Sequence, residues 1–290
     1  MPLSFPNSGR VNVPSALAGE LLSAARRLPS YENHEFYSVA LQASVRDGIR
    51  ESCPEGFDWI IAQINERIAK WPYCALLRGL DFDEGNKLFV AINRAFGELV
   101  ARPYEKPRAQ LVHYVQPATD LPSARGGHES ERLHTDTADW EQPVELISMV
   151  CVRADPGGGG RSRLLDIDAV RDEVDKRLGH AALEHLENTP VPWKLAAYCG
   201  GGVKWRPVLA ESRLCWRRYT IDQGQLSRAT IDSLDSFEQV ITATERTLDF
   251  LMVEGELLFS DNRRTIHART AIAGGGTSDR LMIRSWVRRS

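Results

Sequence analysis

Apolar residues recur at helical spacing along the first third of the chain. Leu17, Leu21, Leu22 and Ala25 predict a helix over 15–28 with Ser15 as its cap, preceded by an irregular arm (1–14) that carries Pro2, Pro6, Gly9 and Pro14. Ile60, Ile61, Ile64 and Ile68 share one face of a second helix over 57–71. Tyr73 to Gly79 is a short apolar run ended by glycine, the pattern of a buried strand. Leu88, Ile92, Phe96 and Leu99 then predict a helix over 83–100.

The period changes in the second third. Strand-like runs occupy 110–116, 144–153 and 163–166, separated by a Pro-, Ser- and Gly-rich loop (117–127) and a Gly-rich turn (155–162). Helical patterns follow at 168–178 and 181–186, then short strands at 191–198, 207–210 and 213–221, then the longest helical pattern, 232–253. The chain returns to strands at 256–260, 265–267 and 280–287, the last two separated by a loop containing Gly274, Gly275 and Gly276. These elements predict an α+β chain with a mainly β core. A helical N-terminal layer (1–70) precedes a β core with helical insertions (71–288), in one domain spanning 1–290. Many short strands interrupted by helices suit antiparallel sheets arranged as a sandwich or barrel under helical cover.

Composition narrows the class of function. The chain has 290 residues, 42% hydrophobic and 26% charged, enough to bury a full core. A formal net charge of −3 leaves no electrostatic footprint for nucleic acid. Five widely spaced cysteines with no C-x-x-C pattern argue against a disulfide framework or a cysteine-zinc site. No basic-then-apolar leader and no apolar run long enough for a membrane span occur, so a reducing, cytoplasmic setting away from membranes is the expectation.

Chemistry concentrates at Leu133-His134-Thr135-Asp136. Extended backbone repeats its side-chain direction every two residues, so His134 and Asp136 project to one face and make half of a metal site. Of the other histidines, His34, His180 and His185 lie among charged residues and read as solvated, while His113 shares strand parity with Leu111 and Val115 and reads as a core histidine. His267, in a strand–turn–strand context, is the candidate third ligand. Two histidines and one carboxylate with open positions suit non-haem Fe(II), and zinc also accepts such a set. Alternation along the last strand puts Arg280, Met282, Arg284 and Trp286 on one face and Leu281, Ile283 and Val287 on the other. If the second set packs under helices, the arginines point inward, and a desolvated guanidinium calls for an anion.

Together these residues resemble the TauD/TfdA-type, clavaminate-synthase-like superfamily of Fe(II)/2-oxoglutarate-dependent oxygenases. The resemblance is carried by Leu133-His134-Thr135-Asp136, Gly159-Gly160-x-Ser162, Asp261-Asn262-Arg263 with His267, Arg280-x-x-x-Arg284, and the early Ala75-Leu76-Leu77-Arg78-Gly79-Leu80. It implies a double-stranded β-helix (jelly-roll or cupin-like) barrel with flanking helices. It also implies His134, Asp136 and His267 as ligands of catalytic iron, with 2-oxoglutarate and O2 as cosubstrates. Arg280, and Ser162 where the family often has threonine, would bind the distal carboxylate of 2-oxoglutarate. Arg284 stands where such enzymes often place an arginine for an acidic group of the substrate. The interval from His267 to Arg280 falls between the taurine-type and clavaminate-type patterns, and the acidic ligand is Asp where many clavaminate-like members have Glu.

Family members that halogenate typically lack the carboxylate ligand, so Asp136 makes hydroxylation the expected outcome, through Fe(IV)=O with release of succinate and CO2. The favoured substrate is a small amino-acid-derived metabolite, as in natural-product biosynthesis. The alternatives are a sulfonate, sulfate ester or other small organic acid, or desaturation, cyclisation or epoxidation by the same site. From other classes, a zinc hydrolase would leave Arg280 unexplained, and a non-catalytic metal-binding barrel is a third reading. Substrate contacts are expected from Gln116, Arg125, His128, Glu129 and Arg284. The Gly-rich 199–205 stretch is either a lid carrying Trp205 or an ordinary surface hairpin.

Overall fold

The computed structural model describes residues 2–101, 111–116, 132–273 and 278–289. In chain order the elements begin with β1 (Arg10–Asn12), α1 (Ser15–Arg27), α2 (Val39–Ser52), α3 (Pro54–Ile68), β2 (Cys74–Arg78), α4 (Lys87–Arg94), β3 (Glu98–Val100) and β4 (His113–Val115). They continue with β5 (Leu146–Arg153), β6 (Ser162–Asp166), α5 (Ile167–Leu178), α6 (His180–Asn188), β7 (Val191–Lys194), β8 (Val203–Arg206), β9 (Leu209–Ala210) and β10 (Arg213–Leu214). The chain ends with α7 (Arg228–Ala243), β11 (Leu248–Phe250), β12 (Leu257–Asp261), β13 (Thr265–Arg269) and β14 (Leu281–Arg288).

Two sheets organise these elements. The larger runs β1-β2-β12-β5-β14-β3, with β4 also paired to β14, and the smaller runs β11-β6-β13. All pairings except β1 with β2 are antiparallel. Consecutive strands change between these sheets four times, at β5–β6, β11–β12, β12–β13 and β13–β14. The Gly-rich turn carries the chain from β5 in the larger sheet to β6 in the smaller, and the Asn262–Arg264 turn carries it from β12 to β13.

Alternation along the strands decides what each face buries. On the larger sheet Leu77, Leu257, Val150, Phe259, Ile283 and Val287 join Leu21, Ile49, Ile60, Ile64 and Phe89 of α1–α4 in one core. Their strand neighbours Leu76, Leu258, Cys151 and Met282 point the other way, against Leu164, Leu248 and Phe250 of the smaller sheet. The far face of the smaller sheet (Leu165, Ile266, Ala268) packs with Val170 and Val174 of α5, Phe237 and Ile241 of α7, and Trp193 and Trp216. Each fully buried leucine or isoleucine is worth about 1.5–3 kcal/mol of transfer free energy, so this layering fixes the strand register. His267, Arg284 and Trp286 are left projecting into the space between the sheets.

Several elements depart from the expectations. The irregular arm contains β1, which pairs in parallel with β2, so the sheet reaches into the N-terminal layer. Pro14, not Ser15, occupies the cap of α1, and no side chain caps it. Helix α2 went unforeseen. The 83–100 helix is confined to α4, because Gly97 has φ +154 and a Cβ there would lie 2.0 Å from the Arg288 carbonyl oxygen. Leu99 accordingly lies in β3 against Val287. The 232–253 helix begins earlier, at Arg228, and stops at Ala243, and Leu248 belongs to β11. The 191–198 and 213–221 strands shorten to β7 and β10, each followed by a one-turn 3-10 helix. Residues 199–205 lie within the β7–β8 connection and β8, with Trp205 paired to Pro192 and half exposed.

Candidate metal centre

His134, Asp136 and His267 converge, with one donor atom from each lying within 4.8 Å of the others. The backbone brings them together. His134 and His267 exchange both N–H···O=C bonds (3.0 and 2.8 Å), an isolated antiparallel bridge that lays the His134 segment along β13. Nδ1 of His134 lies 2.8 Å from the carbonyl oxygen of Arg132. That partner can only accept, so Nδ1 carries the proton and Nε2 keeps its lone pair for a metal.

Asp136 is held from four sides. Its N–H donates to Oδ1 of Asn262 (2.9 Å), and Nδ2 of Asn262 donates back to the Asp136 carbonyl (3.1 Å) and to that of Val144 (2.8 Å). One amide thus imitates a strand partner for the residue. On the side chain, Oδ2 accepts from the Trp286 indole (2.7 Å) and from Arg284 (3.2 Å). Oδ1 faces Nε2 of His134 at 3.6 Å and of His267 at 3.8 Å. The carboxylate is therefore oriented, one oxygen secured by protein and the other presented with two imidazole nitrogens.

Electrostatics prepare the same donors. Burial alone would raise the Asp136 pKa, but the Arg284 charge, with the adjacent imidazoles, holds it well below the usual carboxylate range. Burial and the neighbouring His134 push His267 down to about 3, against the pull of Asp136 and with further help from Arg284 and Arg217. Anionic carboxylate and neutral imidazole are the protonation states a metal requires. A site of two nitrogens and one carboxylate oxygen fits iron or zinc on donor chemistry alone.

Arg280 separates the two. It is only 7% exposed, and among the described residues no carboxylate lies within ion-pair distance of it. Its guanidinium donates to the Gly160 carbonyl (3.4 Å), and burial followed by repulsion from Arg269 lowers its pKa. A Cβ on Gly160, which has φ +64, would lie 2.7 Å from Nε of Arg280, so glycine makes room for the side chain. Behind it, Asp155 accepts from the Gly159 N–H (2.9 Å), the Ala273 N–H (2.7 Å) and the Ser278 hydroxyl (2.8 Å). Ser278 in turn accepts from the Arg280 N–H (3.3 Å). A buried cation braced this way and lacking an anion suits a carboxylate-bearing cosubstrate.

The remaining candidates are spread unevenly. Ser162 is half-buried at the start of β6, two residues after Gly160 and in register with Arg269. Gln116 is exposed at the end of β4. Arg125, His128 and Glu129 lie outside the described residues. Sequence reasoning did not single out Asn262, Trp286, Asp155 or Gly160 for a role. Asn262 and Gly160 sat inside quoted motifs, while nothing in the local pattern marked Asp155 as a hub for distant donors.

Comparison with known proteins agrees with the geometry. The family model for the taurine catabolism dioxygenase TauD, TfdA family matches residues 61–286. A search of curated proteins finds no match. Among solved structures, an asparagine oxygenase in complex with Fe(II), 2S,3S-3-hydroxyasparagine and succinate superposes with TM-score 0.76 at 17% identity, covering 97% of this chain and 93% of that one. The non-haem iron oxygenase OrfP in complex with Fe and alpha-ketoglutaric acid gives TM-score 0.73 at 17% identity, covering 99% and 95%. A putative alpha-ketoglutarate-dependent taurine dioxygenase from Burkholderia xenovorans gives 0.61 at 18% identity, covering 79% and 83%. At these identities the structural likeness speaks for the fold, an α+β arrangement of mixed helix and sheet. Among the described residues no helix is long and apolar enough to cross a membrane. The extent of the family match carries the assignment: this chain belongs to the TauD/TfdA family of Fe(II)- and 2-oxoglutarate-dependent dioxygenases.

Proposed function

We propose that the protein hydroxylates an unactivated C–H bond of a small amino-acid-derived metabolite, using Fe(II), 2-oxoglutarate and O2, on a single domain whose two sheets form a double-stranded β-helix. The observation that carries this reading is the pairing of the His134–Asp136–His267 cluster with Arg280, a buried guanidinium without a carboxylate partner among the described residues. A zinc hydrolase would have no use for Arg280. An amino-acid-derived substrate is supported by the neighbours, whose structures hold 3-hydroxyasparagine and hydroxylated arginines.

In this reading Nε2 of His134, Oδ1 of Asp136 and Nε2 of His267 hold the iron. Iron with 2-oxoglutarate and oxygen supplies the oxidising power, releasing succinate and CO2. The chain's own part is positional. Trp286 and Arg284 keep Oδ2 of Asp136 occupied, so that one carboxylate oxygen serves the metal. Arg280 receives the distal carboxylate of 2-oxoglutarate, with Ser162, at the start of β6 in the other sheet, as its helper. Burial of the Asp136 side chain keeps bulk water from that face. Arg284 braces Asp136 and, in this reading, also orients an acidic group of the substrate. Anaerobic addition of Fe(II) and 2-oxoglutarate tests the reading. A weak visible charge-transfer band, and succinate formation on admitting oxygen, are expected. Absence of both, with activity restored by zinc alone, refutes it.

A further inference from the structure

Arg217 lies beside the metal cluster and has no part in the arrangement above. It is 7% exposed, forms no ion pair among the described residues, and its Nε has no hydrogen-bond partner there. Its guanidinium is stacked on the ring of Tyr219, 4.9 Å from the centroid. A guanidinium buried on an aromatic face is compatible with the cation but does not replace the hydrogen bonds it lost from water.

Backbone pairing places it. Leu214 N–H donates to the Arg263 carbonyl (2.6 Å), and Thr135 N–H donates to the Trp216 carbonyl (2.7 Å). Asn262, next to Arg263, grips Asp136, while His267 bridges His134. Residues 214–217 therefore run antiparallel to 134–136, from the Asp136 end towards the His134 end. Arg217 emerges where His134 and His267 meet. The turn behind it is fixed, because Thr220 donates both its N–H (2.9 Å) and its hydroxyl (2.8 Å) to the Arg217 carbonyl.

The local charge does not balance without a ligand. Asp136 is the one carboxylate of the cluster among the described residues, and it already serves Trp286, Arg284 and the metal position. A divalent ion brings two further positive charges. Dianionic 2-oxoglutarate offsets those, so the charges of Arg280 and Arg217 remain in excess; the distal carboxylate lies against Arg280, and Arg217 has no anion beside it among the described residues. We propose that Arg217 receives an anionic group, a carboxylate or sulfonate, of the substrate at the His134–His267 side of the metal centre. The substrate class is thus acidic or zwitterionic with its anion towards Arg217, and a purely cationic molecule is disfavoured. Arg217 is then a specificity-determining residue, separate from Arg284, which braces the metal-ligating carboxylate.

The proposal rests on the oxygenase reading, and one experiment separates the two. Protein loaded anaerobically with Fe(II) and saturating 2-oxoglutarate is titrated with acetate, methanesulfonate and, as the neutral control, acetamide, following the charge-transfer band. In the wild type the two anions shift the band and acetamide does not. Arg217→Gln keeps the unliganded band but binds the anions at least about tenfold more weakly. Arg217→Lys, which retains charge without the planar fork, falls between them and serves if the glutamine variant does not fold, as judged by circular dichroism. Equal anion affinity in wild type and folded variants, or no response to anions in the wild type, overturns the assignment. A wild type that forms no band at all overturns the oxygenase reading and this proposal with it.

Discussion

Replacing Asn262 tests how far the metal site depends on a residue that touches no metal. Asn262 is 2% exposed and makes three hydrogen bonds of 2.8–3.1 Å, one accepted from Asp136 N–H and two donated to the carbonyls of Asp136 and Val144. Asn262→Ala strands one buried N–H and two buried carbonyls. Each unsatisfied group costs about 1–3 kcal/mol, and partial relaxation brings the expected total to about 3–5 kcal/mol. That is a large share of a typical native margin of about 5–15 kcal/mol. Asn262→Asp is nearly isosteric but sets a carboxylate oxygen against the two carbonyls, so it destabilises at least as much as alanine. Urea unfolding of the metal-free protein reads the stability, and competition with a metal-sensitive dye reads Fe(II) or Ni(II) affinity. The affinity should fall about 10–100-fold, the usual consequence of loosening a group that orients a ligand. An Asn262→Ala protein within about 1 kcal/mol of wild type that binds metal equally well would refute the reasoning.

Arg280→Ala should raise the 2-oxoglutarate concentration required by well over tenfold while leaving metal affinity nearly intact; unchanged cosubstrate affinity would point to Arg284 instead. Gly160→Ala puts a Cβ 2.7 Å from Nε of Arg280 on backbone with φ +64, which costs about 1–2 kcal/mol in strain alone. Its cosubstrate binding, followed by the charge-transfer band, should weaken in parallel. Asp155 supplies a pH test. Burial would raise its pKa, but the donated bonds from Ala273, Ser278, Gly157 and Gly159 lower it below the ordinary 3.8. The folded state therefore binds fewer protons than the unfolded one, so this stability is present above pH 3.8 and is lost as pH falls through the lower folded value. Asp155→Asn should make the acid limb of the unfolding free energy shallower, and an unchanged slope would remove Asp155 from that role.

The sequence was most legible where one periodicity governed a whole element. The alternation along β14 is one such case: Ile283 and Val287 pack under the helices, while on the other face Met282 meets the smaller sheet and Arg284 and Trp286 reach Asp136. The histidine–aspartate spacing and His267 likewise come together in space. Legibility failed where tertiary pairing overrode local pattern. Phe96 and Leu99 fit a helical period, yet the backbone breaks at Gly97 so that β3 can pair with β14. Leu248 and Leu251 fit an extension of α7, but β6 claims Leu248 for the smaller sheet. The orienting residues were hidden for another reason. Asn262 and Trp286 meet Asp136 across 126 and 150 residues of chain, and no local signal encodes so distant a contact.

One strand joins duties that are separate in sequence terms. β14 follows directly on Arg280 and carries Arg284 and Trp286, and its pairing with β5 shifts register between Leu281 and Met282. The irregularity falls between Arg280, proposed above for the cosubstrate, and the two residues that hold Asp136, so a compensating change there can turn one relative to the other. A deletion further along the strand would rotate Arg284 and Trp286 outward together. For redesign, β14 is the natural unit of exchange. A donor strand grafted with its own bulge and the preceding arginine carries the proposed cosubstrate anchor and the Asp136 brace as a matched set, whereas single-residue grafts split them.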